Sequence, residues 1–114
     1  FMAHYMQKHE VCLYIANGNV SWNGANNEVT VWDIKRPKNN EFHPTQKPTE
    51  LAIRAISNHQ ANIVLDFFSG SGTTLMACET LDRKCRAIDI EPKYIAVTLE
   101  RWATYTGEQP KQHE

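Results

Sequence analysis

The feature that most constrains the fold is an apolar run that leads directly into a glycine-rich turn. Residues 63–68 are apolar apart from Asp66, a pattern typical of a strand covered on both faces. The Ser-Gly-Ser-Gly turn of residues 69–72 ends the run, and apolar side chains then recur at helical spacing through residues 73–81. Such a turn presents backbone N–H groups and the positive end of a helix dipole to a ligand. The sequence therefore predicts a ligand loop at the carboxyl edge of a sheet.

The segments around this unit indicate alternating strands and helices. Pro48 suits the start of a helix, which we expect to continue to about residue 58. Residues 85–90 predict a second short strand, Pro92 opens a last helix, and Gly107 ends it. The order of strand, loop, helix, strand and helix predicts the α/β class, with the start of a doubly wound parallel sheet.

The first half of the chain has a different character. Residues 11–16 and 29–34 are rich in apolar and β-branched side chains, and turn-forming residues follow the first run and precede the second. We expect two strands here, at one edge of the same sheet. The predicted organisation is a single partial domain, with edge strands and loop in residues 1–37, a cofactor-binding βαβα part in 38–107 and a tail in 108–114.

Composition excludes several classes of protein. Of the 114 residues, 41% are hydrophobic and 22% charged, and no apolar run approaches the roughly 18 residues that cross a bilayer. The net charge of −1 gives no general basic footprint, so contacts to a nucleic acid must come from a local patch. The 3 cysteines form no C-x-x-C pair, which disfavours a disulfide framework or a zinc site and favours a reducing cytoplasm.

The glycine turn and a distant acid together predict a site for adenosine. Asp89 ends the next predicted strand 19 residues after Gly70, where an acid can accept hydrogen bonds from both ribose hydroxyls. Asp66 faces the middle of such a ligand, where negative charge repels a pyrophosphate but suits an ammonium or sulfonium. Leu75 also replaces the third glycine of the dinucleotide motif. These features favour S-adenosylmethionine. A purely structural turn, with Asp66 as a helix-capping acid before it, stays open as the alternative.

Three segments, in order, resemble the motifs of DNA amino-methyltransferases of the permuted, beta-type order. Residues 66–74 resemble the cofactor motif D-P-F-x-G-S-G-T-T, residues 43–51 resemble H-P-T-Q-K-P-x-E-L, and residues 88–94 are similar to G-x-E-x-x-P-x-Y. Phe67 stands where the family usually has proline, and Asp89 where it usually has glutamate. Because aspartate has the shorter reach, we expect its ribose contact to pass through water.

The resemblance implies a Rossmann-like S-adenosylmethionine-dependent methyltransferase fold with three αβα layers. It implies methyl transfer to the exocyclic amine of adenine, which we prefer, or of cytosine, in DNA whose target base is flipped out of the duplex. Such enzymes belong to bacterial and phage restriction–modification. The cofactor-binding residues implied are Thr45, Lys47, Asp66, Phe67, Phe68, Ser69, Gly70, Ser71, Gly72, Thr73, Thr74 and Asp89.

The same resemblance implies separate roles within this set. The backbone around residues 68–72 would hold the methionine part of the cofactor, with Asp66 near its ammonium. Thr45 and Lys47 would approach the carboxylate, since a charge-assisted hydrogen bond from a lysine is a strong one. A solvated Lys47 and a structural role for His43 stay open.

The family's catalytic motif, [DNS]-P-P-[YFW], is missing, because the chain contains no Pro-Pro dipeptide. In the permuted order this loop lies upstream of the cofactor motif, together with central strands of the sheet. We therefore expect the C-terminal part of a longer or split enzyme, inactive by itself, that meets DNA through the full enzyme. An exposed sheet edge then predicts strand exchange or a homodimer. The alternatives are a non-catalytic cofactor-binding or interaction module, and a nicotinamide-dependent dehydrogenase, which would not explain residues 43–51.

Overall fold

The computed structural model describes residues 4–36 and 46–113, and the regular elements found in that part of the chain all lie after residue 48. Strands β1 and β2 pair in parallel, with Ile63 opposite Lys84 and Asp66 opposite Ala87. Helix α2 connects the two strands, so the chain forms a β-α-β unit, and the predicted α/β class with a partial parallel sheet is confirmed. The elements are α1 (Thr49–Ser57), β1 (Ile63–Asp66), α2 (Thr73–Thr80), β2 (Lys84–Ala87) and α3 (Pro92–Thr106).

Local signals set the ends of the helices. Pro48 precedes α1 as its N-cap, one position earlier than the first-turn place that its missing N–H suits. Pro92 is the first residue of α3, and the side chain of Glu91 accepts a hydrogen bond from the Lys93 N–H at 3.5 Å. Gly107 ends α3 in the left-handed conformation, with φ of +76°. These ends match the sequence predictions to within about a residue, the usual uncertainty of a helix boundary.

The first half of the chain departs from its prediction. Residues 11–16 and 29–34 form no strand in the described part of the chain, and Leu13 and Val31 are exposed. Among the described residues, this half forms β-type backbone pairing only at one isolated bridge, between Trp22 and His59. The predicted edge strands are therefore wrong. A β-rich pattern indicates a side-chain surface that needs a neighbouring strand, and within the described residues β1 and β2 pair only with each other.

Loop contacts, rather than strand pairing, fasten the first half to α1. The Asn23 N–H donates to the Asn58 carbonyl at 2.8 Å. Arg54 donates to the carboxylate of Glu28, at 2.8 Å from Nε, and its guanidinium lies 4.6 Å from the ring centroid of Trp32. The ion pair and the cation–π contact share one half-buried arginine, which orders the segment that precedes residue 36.

The core is small and centred on α2. Its buried apolar residues, Met76, Ala77 and Cys78, follow one another in that helix, which contacts both α1 and β2. The expectation that residues 63–68 are covered on both faces is wrong, because Leu65 is 60% exposed and Ile63 lies on the same open face. Parallel strands are buried on both sides only where helices cover both faces, and here one face stays open. No helix of the described residues has the length and apolar character that a membrane span requires.

Candidate cofactor-binding site

The loop that follows β1 starts with a turn stabilised by Asp66. One oxygen of this carboxylate accepts a hydrogen bond from the Phe68 N–H at 3.0 Å, two residues further on. The buried Ser69 then donates its N–H to the carbonyl of Ile88 at 3.1 Å, which ties the loop to the segment after β2. Asp66 therefore stabilises the turn itself and does not cap α2, which has no side-chain cap, so the helix-capping alternative is wrong. The carboxylate lies at the end of β1, as the ligand hypothesis requires.

Two glycines of the loop have positive φ, for different reasons. Gly70 has φ of +52°, and a Cβ placed there would meet no atom within 4 Å. Gly72, the N-cap of α2, has φ of +81°, and a Cβ there would lie 2.5 Å from Cγ2 of Thr98. Position 70 thus requires glycine for its backbone conformation alone. Position 72 requires glycine for the same reason and also because α3 approaches its backbone closely.

Asp89 lies directly against the glycine loop. Its Oδ2 accepts a hydrogen bond from the Gly70 N–H at 2.7 Å, and its Oδ1 accepts one from the Glu91 N–H at 2.9 Å. The backbone N–H groups of Glu91 and then Gly70 hold the pKa of this carboxyl below its usual value. The structure therefore brings together the two parts of the site that the sequence separates by 19 residues, and it keeps the carboxylate charged.

Helix α3 contributes two further side chains that the sequence interpretation missed. Thr98 donates its hydroxyl to the Gly70 carbonyl at 3.0 Å, and Arg101 donates from Nη1 to the Ser71 carbonyl at 3.1 Å. Thr98 is only 5% exposed. Ile95 and Trp102 are seven residues apart in the same helix, so the signal that points to Thr98 is a small polar residue within an apolar helical stripe.

The segment before α1 reaches the start of α2. The Lys47 carbonyl accepts a hydrogen bond from the Thr73 hydroxyl at 3.3 Å, so its backbone lies beside the loop. The Lys47 ammonium is ion-paired with Glu10, and this contact lowers the pKa of that carboxyl. Thr45 and His43 lie outside the described residues. Lys47 is therefore near the loop, as predicted, but its charge faces an acid from the first half of the chain.

Open N–H donors and exposed apolar side chains surround the loop. Helix α2 begins without a side-chain cap, so the amides of its first turn, which include those of Thr73 and Thr74, have no partner within the helix. Phe68 is 91% exposed and Ile90, next to Asp89, is fully exposed. The sequence interpretation missed Ile90, whose apolar character beside a polar site was its only signal. An apolar surface with a few directed polar groups is the usual composition of a small-molecule site.

The residues of the described ranges offer no alternative centre based on a metal, since no three of their His, Cys, Asp or Glu side chains converge. Of the predicted cofactor-binding residues, those of the loop and Asp89 come together, with Ser69, Ser71 and Gly72 buried in the loop itself. The arrangement combines a fixed acid, a rigid glycine turn and unpaired amides. It is suited to a ligand that carries hydroxyls at one end and charged groups at the other.

Comparison with known proteins agrees with this geometry. Residues 7–100 match the family model described as DNA methylase. The type II methyltransferase M.HpaI of Haemophilus parainfluenzae is 42% identical over 81 residues, which are 66% of this chain and 26% of that protein. The DNA adenine methyltransferase YhdJ of Escherichia coli (strain K12) is 42% identical over 77 residues, 62% of this chain and 26% of that protein.

A solved structure, the complex of M1.HpyAVI with SAM, aligns with a TM-score of 0.63 and 37% sequence identity, and covers 74% of this chain and 44% of that one. The chain thus spans about a quarter of the length of these two curated relatives and under half of that solved chain. The match to the family model extends over most of the 114 residues and includes both the glycine loop and Asp89. This chain belongs to the DNA methylase family.

Proposed function

We propose that this chain binds S-adenosylmethionine at the glycine loop and provides the cofactor half of a DNA amino-methyltransferase. The observation that carries the proposal is the 2.7 Å hydrogen bond between the Gly70 N–H and Asp89, which joins the loop and the distant acid in one site. The preferred target is the exocyclic amine of adenine rather than that of cytosine, in line with the adenine specificity named for the relative YhdJ.

The groups at the site fit this cofactor. Asp66 supplies negative charge for the ammonium and sulfonium, and the open amides at the start of α2 suit a carboxylate. The exposed side chain of Ile90 offers an apolar surface to the adenine ring. When bound, S-adenosylmethionine supplies a methyl group that its positive sulfur activates for attack by the base amine. The pyrophosphate of a dinucleotide would meet the same Asp66 charge unfavourably.

Asp89 has the capacity for both its structural and its ligand role. A carboxylate has two oxygens with about four acceptor positions, and the amides of Gly70 and Glu91 use one on each oxygen. The remaining lone pairs accept the ribose hydroxyls, in part through an ordered water because the side chain is short. The same two amides fix the orientation of the carboxylate before the ligand arrives.

Calorimetry with S-adenosylhomocysteine and with NAD tests the cofactor. We expect the first ligand to bind and the second not to, and Asp89→Ala to weaken the binding by about 1–3 kcal/mol through the loss of the ribose contacts. Asp33→Ala is the matched control, since Asp33 is exposed and lies outside the site. Binding of NAD in place of S-adenosylhomocysteine would sink the proposal, and unchanged affinity in Asp89→Ala would remove that residue from the site.

DNA is the proposed substrate of the whole enzyme, which we assign to bacterial restriction–modification in the cytoplasm. Because these 114 residues contain no Pro-Pro loop for the target amine, the chain alone is expected to transfer no methyl group. Transfer of label from radioactive cofactor to DNA by this chain alone would contradict that. The same observation supports the second candidate, a non-catalytic cofactor-binding or interaction module. A [DNS]-P-P-[YFW] loop encoded upstream in the same frame would favour the enzyme.

The open side of the β1–β2 sheet supports a proposal about association. Ile63, Leu65 and Ile88 expose apolar surface there, and no further strand among residues 4–36 and 46–113 pairs with either edge of the two-stranded sheet. We expect the chain by itself to form homodimers or to exchange strands. Sedimentation velocity over a range of concentrations tests this, and a monomer that persists at high concentration argues against it.

A further inference from the structure

Two side chains on one face of α3 hold consecutive carbonyl groups of the glycine loop. Thr98 donates to the Gly70 carbonyl at 3.0 Å, and Arg101 donates to the Ser71 carbonyl at 3.1 Å. Residues three positions apart lie on the same side of a helix, so a single turn of α3 presents both donors. Thr98 is buried and Arg101 is partly buried, so water competes little for either hydrogen bond.

These contacts determine where the amides of the loop point. In a planar trans peptide the C=O and N–H of one unit point in opposite directions. The carbonyls of Gly70 and Ser71 face α3, so the N–H groups of Ser71 and Gly72 are directed away from that helix. The Gly72 N–H is used by the Ser69 carbonyl at 2.9 Å. The Ser71 N–H, in a residue that is 5% exposed, has no acceptor within residues 4–36 and 46–113, so it is the one of these two amides without a hydrogen bond in the described chain.

We propose that Thr98 and Arg101 are positioning residues, which orient the Ser71 amide toward the methionine part of the cofactor. The inference rests on the proposed function, because it assigns a purpose to the loop that the two side chains hold. Neither residue touches the cofactor. They act through the backbone carbonyls, and the loop keeps its conformation because α3 contacts it from the side opposite the ligand.

Two more contacts make this arrangement rigid. The methyl group of Thr98 lies directly beneath Gly72, where an added Cβ would come within 2.5 Å of it. Arg101 donates from Nη2 to the hydroxyl of Thr49, the first residue of α1, at 3.1 Å. One guanidinium thus joins the loop to a second helix, as the planar fork of arginine allows and a lysine ammonium does not. The loop is held by α3, and α3 is held to α1.

The test compares Thr98→Val, which removes the hydroxyl but keeps the shape, with Thr98→Ser, which keeps the hydroxyl. Thr104→Val is the matched control, because Thr104 lies in the same helix, is exposed, and bonds only to the Glu100 carbonyl of its own helix among the described residues. Two quantities are measured on the full chain, the affinity for S-adenosylhomocysteine and the amide chemical shifts of residues 70–72 without ligand. The second measurement needs no cofactor.

We expect Thr98→Val to weaken the affinity about tenfold and to shift the loop amides, in keeping with the loss of a buried hydrogen bond. Thr98→Ser should stay within threefold of the parent chain, and Thr104→Val should be unchanged in both measurements. Arg101→Lys gives a second route if Thr98→Val does not fold, with the Ser71 and Gly72 amides shifted and the affinity lowered.

The outcomes separate this inference from the proposed function. Parent-like affinity in both Thr98→Val and Arg101→Lys overturns the positioning role while the proposed function stands. If the parent chain binds no S-adenosylhomocysteine, the proposed function fails, and the amide shifts then decide whether α3 orients the loop. Unshifted loop amides in Thr98→Val overturn the inference whether or not the parent chain binds the ligand. That result would mean that Thr98 acts only by packing, which needs no hydroxyl.

Discussion

Replacing Gly72 by alanine tests why the loop requires glycine where it meets α3. A φ of +81° costs an L side chain about 1–2 kcal/mol. The added Cβ would lie 2.5 Å from Cγ2 of the buried Thr98, and overpacking of this kind costs about 1–3 kcal/mol. Alanine also lowers the entropy of the unfolded chain, which returns about 0.4–1 kcal/mol. We expect the free energy of unfolding to fall by about 1–5 kcal/mol in total.

A matched glycine isolates the contact from the backbone strain. Gly107 has φ of +76°, almost the value at Gly72, but a Cβ there would meet no atom within 4 Å. Gly107→Ala should therefore lower the free energy of unfolding by about 0–2 kcal/mol. Urea denaturation followed by circular dichroism measures both variants, and the difference between them is the cost of the contact with Thr98.

A double-mutant cycle assigns that difference to a particular atom. Thr98→Ser removes Cγ2, the nearest atom to the added Cβ, and keeps the hydroxyl that holds the Gly70 carbonyl. The double variant Gly72→Ala/Thr98→Ser should recover about 1 kcal/mol relative to the sum of the single variants. A Gly72→Ala that is no less stable than Gly107→Ala, or a cycle with no coupling, would refute the close approach of α3 to the loop.

Two further predictions concern ionisable groups. Because backbone amides lower the pKa of Asp89, the folded state binds fewer protons there than the unfolded state. The stability that this carboxylate contributes is fully present above its usual pKa of 3.8 and is lost as the pH falls through the lowered pKa. The urea midpoint of Asp89→Asn should therefore depend less on pH below 3.8 than the midpoint of the parent chain does. The second prediction concerns the cysteines. Burial raises the pKa of Cys85 to about 12 and also raises the pKa of the buried Cys78, whereas Cys12 is exposed. At pH 8 one thiol should react rapidly with Ellman's reagent in the native chain and all 3 in urea, and a second rapid native thiol would contradict this.

The parts of the fold that the sequence predicts well are those decided by neighbouring residues. Pro48 marks the start of α1 and Gly107 the end of α3, because the proline ring and the left-handed backbone act within one or two residues. The glycine loop belongs to the same class. The strands predicted at residues 11–16 and 29–34 fail, since a β-rich run becomes a strand only where another strand pairs with it.

The candidate site divides in the same way. The approach of Asp89 to Gly70 could be expected, because a short β-α-β unit brings the carboxyl ends of its two parallel strands to one edge. The contact of Thr98 with the Gly70 carbonyl could not be expected from the sequence. Thr98 lies 9 residues after Asp89, and its contact depends on how α3 is rotated about its own axis. The pairing of Lys47 with Glu10 depends in turn on where the segment around Glu10 lies, and the sequence of that segment carries no pattern that predicts its position.

The glycine loop is held from two sides by elements that do not depend on the open face of the sheet. Asp89 bonds the Gly70 amide from the β2 side, and Thr98 bonds the Gly70 carbonyl from α3. Both polar groups that Gly70 carries are therefore satisfied within the β-α-β-α unit, and a ligand meets a loop whose conformation is already fixed. The exposed face with Ile63 and Leu65 adds nothing to that network. Cofactor binding should for this reason tolerate changes on the sheet face that would disturb association of the chain, which makes the two properties separable by mutation.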